Sequence, residues 1–591
     1  MHHAINKPTG HTHRPASGWH RHGRVACGVA VGMLLALSAM AQQVDLNNIR
    51  KNFSGKAVRV GGGVSANTVF YDGNDGQKRQ PFTYFLSGNV NVNLFNQVNL
   101  PFSFSFTNVG ADFGYPTLPN RLSVHPTYKW VTAHIGDIAM SFSPYTLNGH
   151  MFRGAGVDLT PKGPFKISAM GGRLVRAVEY DSATTNRIVP AAYERWGYGA
   201  KVRYDQASHY LGMTLFAAKD KVSSLAWQPD SLTIFPQGNV AMSWEGGVKI
   251  AENLNLSGEY GLSMLTRDVR SPREGSSVFN NAFGTRASTH TYHALRAELS
   301  YQLWKNTIGV GYERIDPEYR TLGAYYFNND YENVTLRYAR PFFKDKLSLA
   351  LSWGVQHDNL NHTNEQSSQR YVSSANLDYT PNNNLAIALS YSSFQTYMNM
   401  RSQFTDINNQ TPYDNLDTLN FTQLSKNMAA NVNYSFGHNE NRRNNFNANL
   451  SFQEAADKQG DIIRPGALSQ FYNLSTAYNV LFVPQAIGLT VAFNTTYNHA
   501  GADDFVTLGP TLGAKAKVLQ KKITTGFTTS YNVSMNGGEV QNKVLNVRLN
   551  AGYVFLRKHN LSANGIWQRR ERLNQPNTQS TTVTLAYAYS F

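Results

Sequence analysis

The chain is 591 residues long, enough for about four ordinary domains at ~150 residues each, yet no linker divides it. Only 16% of residues are charged, against ~25% in typical soluble domains, while Tyr and Phe contribute 32 each and Gly 47. A hydrophobic share of 41% excludes a helical membrane bundle, each span of which needs about 20 consecutive apolar residues. The formal charge of +16 is spread along the chain with no compact patch or recognition motif, so no nucleic-acid partner is expected.

Residues 1–41 read as a cleavable signal peptide. Lys7, Arg14, Arg21 and Arg24 precede an apolar stretch from Val25 to Leu37, and Ala39-Met40-Ala41 gives the small-x-small cleavage pattern. Removing those four basic residues from 54 leaves 50 against 38 acidic ones, about +12. The single cysteine, Cys27, lies inside the leader, so the mature chain is expected to lack disulfides, thiol nucleophiles and cysteine-based metal sites. Residues 42–55 form a short periplasmic segment, and 56–591 form the body of the protein.

That body alternates apolar with small polar residues in segments of about 10–14, the period of two-faced strands. Tyr84, Leu86, Val90, Val92 and Leu94 alternate with Ser87, Asn89, Asn91 and Asn93, and a turn at Asn96-Gln97 leads to Val98, Leu100, Phe102, Phe104 and Phe106. The same grammar recurs at Phe446, Ala448, Leu450 and Phe452. Short turns fall at Asp205-Gln206-Ala207, Glu252-Asn253, 381–384 and Lys558-His559; longer polar loops fall at 179–191, 268–287, 358–368, 398–425 and 572–578. Alternately short and long connections, with aromatics near segment ends, predict an all-β fold, a single transmembrane antiparallel β-barrel. An even count of about 24 strands (22–26) is expected, with the region 109–150 setting the uncertainty. Only a short stretch precedes the first strand, so no separate plug domain is expected, and the wide lumen calls for inward loops, with 398–425 the leading candidate.

The last segment is the most specific. Val583, Leu585, Tyr587, Tyr589 and Phe591 occupy every second position and end on an aromatic residue. This resembles the C-terminal assembly signal of Gram-negative outer-membrane β-barrel proteins. The Asn- and aromatic-rich strands look Bacteroidota-like. The resemblance implies outer-membrane localisation, contact with lipid and lipopolysaccharide, and the barrel-assembly machinery as a partner during biogenesis. A periplasmic or surface protein partner is a further expectation. The segment GDIAMSFSPYTLNGHMFRGAGVDL, from Gly136 to Leu159, resembles a strand-loop-strand pattern of fimbrial usher barrels, though no inserted plug or periplasmic domain accompanies it.

Alternation assigns Arg195, Lys201, Arg203, Glu245, Glu259, Arg296, Glu298, Glu313 and Arg337 to the inner face as pore-lining candidates. They form a strip of both signs that either orients a solute, holds an inward loop, or stiffens the wall as an ion-pair lattice. Arg153 is the candidate tether for the Ser143-Pro144-Tyr145 loop. Asn329-Asp330-Tyr331-Glu332 reads as solvated surface. Asp72-Gly73-Asn74-Asp75-Gly76 reads as a hairpin turn, lacking the spaced acidic series of a calcium loop. No catalytic constellation is present, so no enzyme, cofactor or metal is expected. The functional expectation is a channel or transporter passing solutes through a loop-constricted lumen. The alternative is a structural or assembly subunit of a secretion, surface-anchoring or barrel-assembly complex with a sealed lumen.

Overall fold

The computed structural model describes residues 57–74, 79–108, 120–179, 191–226, 234–273, 284–361, 369–393, 424–437, 439–455, 458–459, 462–463, 468–501 and 503–591. Residues Arg59–Phe591 form one compact unit. Its main sheet has 27 strands among the described residues, joined in chain order by antiparallel pairing. Arg121–Val124 and Thr127–Tyr128 both sit between Val98–Thr107 and Val131–Ser141, as two pieces of one interrupted strand. The wall therefore has 26 positions, the upper end of the expected range. The interrupted strand accounts for the region where the sequence pattern was irregular: His125 and Pro126 break the alternation between its pieces.

The barrel closes between its first and last strands. Val58–Gly73 and Thr578–Ser590 are antiparallel, in register from Gly63 opposite Ser590 to Gly73 opposite Ser580. Gly62 and Phe591 extend the seam by exchanging both backbone bonds, at 3.1 and 3.0 Å. Gly62 has a φ of 144°, a conformation that suits glycine. The assembly-signal residues thus lie on the closing strand, with Val583, Leu585, Tyr587 and Tyr589 opposite Phe70, Thr68, Ala66 and Val64.

Connections alternate as expected. At the end carrying both termini of the barrel they are tight: Phe95 and Asn96 take positive φ, and so do Leu519, Gln520 and Lys521 and also Leu556 and Arg557, the local geometry of primed hairpin turns. The opposite end carries the longer connections, apart from the two-residue links after Ala500 and Asn536. The 398–425 loop lies almost wholly outside the described residues, and Asp72–Gly76 partly so.

Alternate residues sort onto two faces. Leu211, Leu549, Val491 and Leu512 on the outer face are 55–63% exposed, an apolar surface of the kind that meets hydrocarbon. Aromatic clusters bracket it. Tyr553, Phe555 and His559 gather at the short-turn end, and Phe452, Tyr472 and Tyr497 at the other. Leu512→Arg, which places a charge on this apolar surface, is expected to lower stability in lipid vesicles by about 2–4 kcal/mol, measured by reversible denaturant unfolding.

Candidate functional site

The charged strip begins as a register row. Arg203, Gly212, Glu245, Glu259, Arg296 and Glu313 are successive cross-strand partners on one face. Lys201 stands two residues toward the loop end of Arg203, and Glu298 two residues toward the turn end of Arg296. Lys201 pairs with Glu245 at 2.9 Å, and Arg203 with Asp205 at 2.6 Å and Glu245 at 3.3 Å. Arg337 pairs with Glu298 at 2.7 Å, and Arg296 reaches the same carboxylate at 3.5 Å. Arg195 is held by Asp220 through two bonds of 2.7 and 2.9 Å. All nine candidates therefore lie on the inner face, and each basic one has an acidic partner.

Two connections fold onto this strip. The first, residues 142–147, joins Val131–Ser141 to Asn148–Leu159; the second, 316–330, joins Asn306–Ile315 to Tyr331–Phe342. Both lie among inward side chains. Tyr145, Leu147, Tyr319 and Leu322 pack with Met140, Met170, Leu174, Phe216, Leu265 and Ile315 in one buried apolar cluster. Leu147, Tyr319 and Phe216 are fully buried. Glycines on the wall make room: a Cβ at Gly261 would lie 2.6 Å from Tyr145 Cβ, and one at Gly199 would lie 2.9 Å from the Phe142 ring.

A backbone taken inside a barrel needs partners for its polar groups, and the charged strip supplies them. Lys201 Nζ donates to the Phe142 carbonyl at 2.6 Å. Ser143 Oγ donates to Glu259, and Tyr145 OH donates to Glu313 at 3.2 Å. Asn239, 3% exposed, accepts from Leu322 N at 3.1 Å. Its amide donates to Ser263 Oγ at 2.8 Å, which in turn donates to the Arg320 carbonyl at 2.7 Å. Arg267 and Tyr292 both donate to Glu318, at 2.5 and 3.0 Å.

The two segments also hold each other. Tyr319 OH donates to the Tyr145 carbonyl and Thr321 Oγ1 to the Thr146 carbonyl, both at 2.8 Å. Leu147 and Gly323 form a parallel bridge, and Asn148 N donates to the Gly323 carbonyl at 2.9 Å. Burial, reinforced by the Glu313 carboxylate, pushes the Tyr145 phenol up from its ordinary value. Burial does the same to Tyr319. Both phenols therefore remain protonated donors.

Arg153 is placed elsewhere. It pairs with Asp137 at 2.6 and 2.9 Å, on the face opposite the buried Phe152. Alternation along Asn148–Leu159 aims position 153 away from the lumen whenever position 152 points into it. Lys201, Glu259 and Glu313 hold the 142–147 segment instead. The 316–330 segment and its anchors Asn239 and Ser263 escaped the sequence reading. Tyr319, Leu322 and Phe327, which join the buried cluster, are the available signal, since a loop in water has little reason to carry large apolar residues at that density. Asn329 and Tyr331, read as solvated, support the segment: Asn329 donates to the Tyr319 carbonyl at 3.0 Å, and Tyr331 packs on the buried cluster.

No family model and no curated protein matches the sequence. Among solved structures, the chain is similar to the translocation pore of the P pilus usher PapC at 10% identity and a TM-score of 0.35, covering 90% of this chain and 99% of that one. It is similar to the FrpB iron transporter (F3-3 variant) of Neisseria meningitidis at 11% identity and 0.34, covering 93% and 83%. It is also similar to OccK5 (OpdH) of Pseudomonas aeruginosa at 10% identity and 0.33, covering 57% and 93%. At such values the likeness carries no inference about substrate, gating or assembly.

The seat at Gly261 is testable by labelling. In a Cys27→Ser background, Thr146→Cys, whose parent side chain is fully buried, is expected to resist a membrane-impermeant maleimide. Adding Gly261→Val is expected to raise the reaction rate at least about tenfold, the equivalent of ~1.4 kcal/mol of opening free energy. Unchanged protection in a folded barrel would show that the segment does not rest on that glycine.

Proposed function

We propose that this chain is an outer-membrane channel or transporter. Its lumen is narrowed from one side by the paired segments 142–147 and 316–330, and solutes pass along the opposite wall. One observation carries the reading: the inner face is divided. From Val131 to Phe342 it is charged, and infolded backbone covers it. From Leu347 onward it is lined mainly by Asn, Ser and Thr, and no segment lies over it among the described residues. Small hydroxyls and amides exchange hydrogen bonds with water and polar solutes alike, so this wall is wettable along its length. A sealed assembly subunit would have both halves covered.

Single-channel recording in planar bilayers tests this. The refolded protein is expected to conduct steadily. Tyr145→Ala combined with Tyr319→Ala removes two aromatic anchors, each change costing on the order of 3–5 kcal/mol at a buried aromatic, and is expected to raise conductance. Silence from both proteins, with folding verified by heat-modifiable gel mobility, would overturn the channel reading in favour of a sealed subunit.

A further inference from the structure

The amide-lined wall is neutral for most of its height. Along Leu424–Phe436, Arg442–Ala455, Ser469–Phe482 and Ile487–Ala500, amides and hydroxyls bond across the strands. Asn449 donates to Asn431 at 2.5 Å, Asn445 to Asn433 at 2.8 Å, Ser475 to Asn494 at 2.5 Å and Thr490 to Asn479 at 2.7 Å. Near the short-turn end cations interrupt this surface: Arg443, Lys515 and, two residues further along the same face, Lys517. Arg443, Leu481, Gly488 and Lys515 are successive cross-strand partners, so all four share the inner face. Lys515 lies across the bare position: a Cβ at Gly488 would meet its Cε at 2.6 Å and its Cγ at 2.9 Å. The ammonium is thereby carried toward Leu481 and Arg443.

Arg443 and Lys515 line a single hollow of about 390 Å³ with Ser435, Asn445, Asn479 and Thr490. Neither forms an ion pair or a side-chain hydrogen bond among the described residues. This sets them apart from the charged strip opposite, where every basic candidate has a carboxylate. The acidic residue on the neighbouring wall, Asp378, lines a separate hollow of about 250 Å³ with Asn431, Asn433, Asn447 and Asn449.

We propose that the Arg443–Lys515 hollow is a binding subsite for a hydroxylated solute bearing an oxyanion, a carboxylate or a phosphate. The inference rests on the channel reading above and names the solute class. A guanidinium presents its N–H groups as a fork that matches two oxyanion oxygens, and an ammonium adds a second, less directional donor. Two like charges held on one wall raise the local anion concentration. The Asn479 amide N–H groups donate, and the Asn445 carbonyl and Thr490 hydroxyl oxygens, whose protons are spent on neighbours, accept, which suits the hydroxyl groups of the remaining solute.

Calorimetric titration of the intact barrel in detergent at low salt tests the proposal, with sodium glucose 6-phosphate, sodium gluconate and glucose as probes. At least one charged probe is expected to bind, and the two together distinguish phosphate from carboxylate. Arg443→Gln with Lys515→Gln is expected to weaken that binding at least about tenfold, as loss of two charge-assisted contacts implies; if the double variant does not fold, Lys515→Gln alone is expected to weaken it measurably. Equal binding by parent and variant, equal binding of glucose, or no binding of any probe would overturn the proposal. Because calorimetry needs no current, the two readings fail separately. A barrel that binds the charged probes but never conducts overturns the channel, and one that conducts but binds them no better than its variant overturns the subsite.

Discussion

Everything else in this structure depends on the seam where the first strand meets the last. In hydrocarbon no water is available to satisfy an exposed N–H or C=O, so a sheet crosses a membrane only if it has no edge. The eleven register pairs from Gly63–Ser590 to Gly73–Ser580, extended by Gly62 and Phe591, remove the edge. Closure also fixes which face of every strand is lipid and which is lumen, because the register propagates residue by residue around the wall. The Arg203-to-Glu313 row exists only because that register is unbroken across six strands.

The same rule governs the lumen. A connection folded inward takes backbone groups away from bulk water, at a cost unless each finds a partner. The two segments meet this with apolar side chains packed into glycine-widened wall positions and with polar groups bonded to charges already on the wall. Lys201, Glu259 and Glu313 each bond an ion-pair neighbour or a loop group, so one lattice both stiffens the barrel and seats the segments. Of the three roles that alternation alone left open for the strip, the lattice and the loop holder are filled by the same residues.

Alternation made the barrel legible because a period of two is imposed at every residue of every strand. The short turns at Asn96-Gln97, Glu252-Asn253 and Lys558-His559 are legible because reversing a strand in two or three residues demands particular backbone conformations. Strand count was less so, since His125 and Pro126 interrupt one strand and erase its period. The inward positions of Arg195 through Arg337 followed from parity alone. What those side chains touch did not, because contacts across the lumen join residues as distant as Tyr145 and Glu313, and no local pattern encodes them. Arg153 shows the limit: proximity in sequence to the Ser143-Pro144-Tyr145 loop suggested a tether, but the parity that makes Phe152 inward sends Arg153 outward. The cations at Arg443 and Lys515 leave no local signal because they stand on separate strands, 72 positions apart, and only the register brings them into one row.

The mutual bonding of the two segments bears on whether either could move. Tyr319 and Thr321 bind carbonyls of residues 145 and 146, and Gly323 pairs with Leu147 and Asn148. Moving one segment alone would leave these buried acceptors unpaired, each at a cost of about 1–3 kcal/mol, while also opening a void in the apolar cluster. Moving both together would break a different set: Lys201 to Phe142, Tyr145 to Glu313, and Asn239 and Ser263 to residues 320–322. Either route disrupts several bonds and the cluster at once, so the segments behave as part of the wall and not as independent lids. In the channel we propose, passage is set by the space between this fixed half and the amide-lined half.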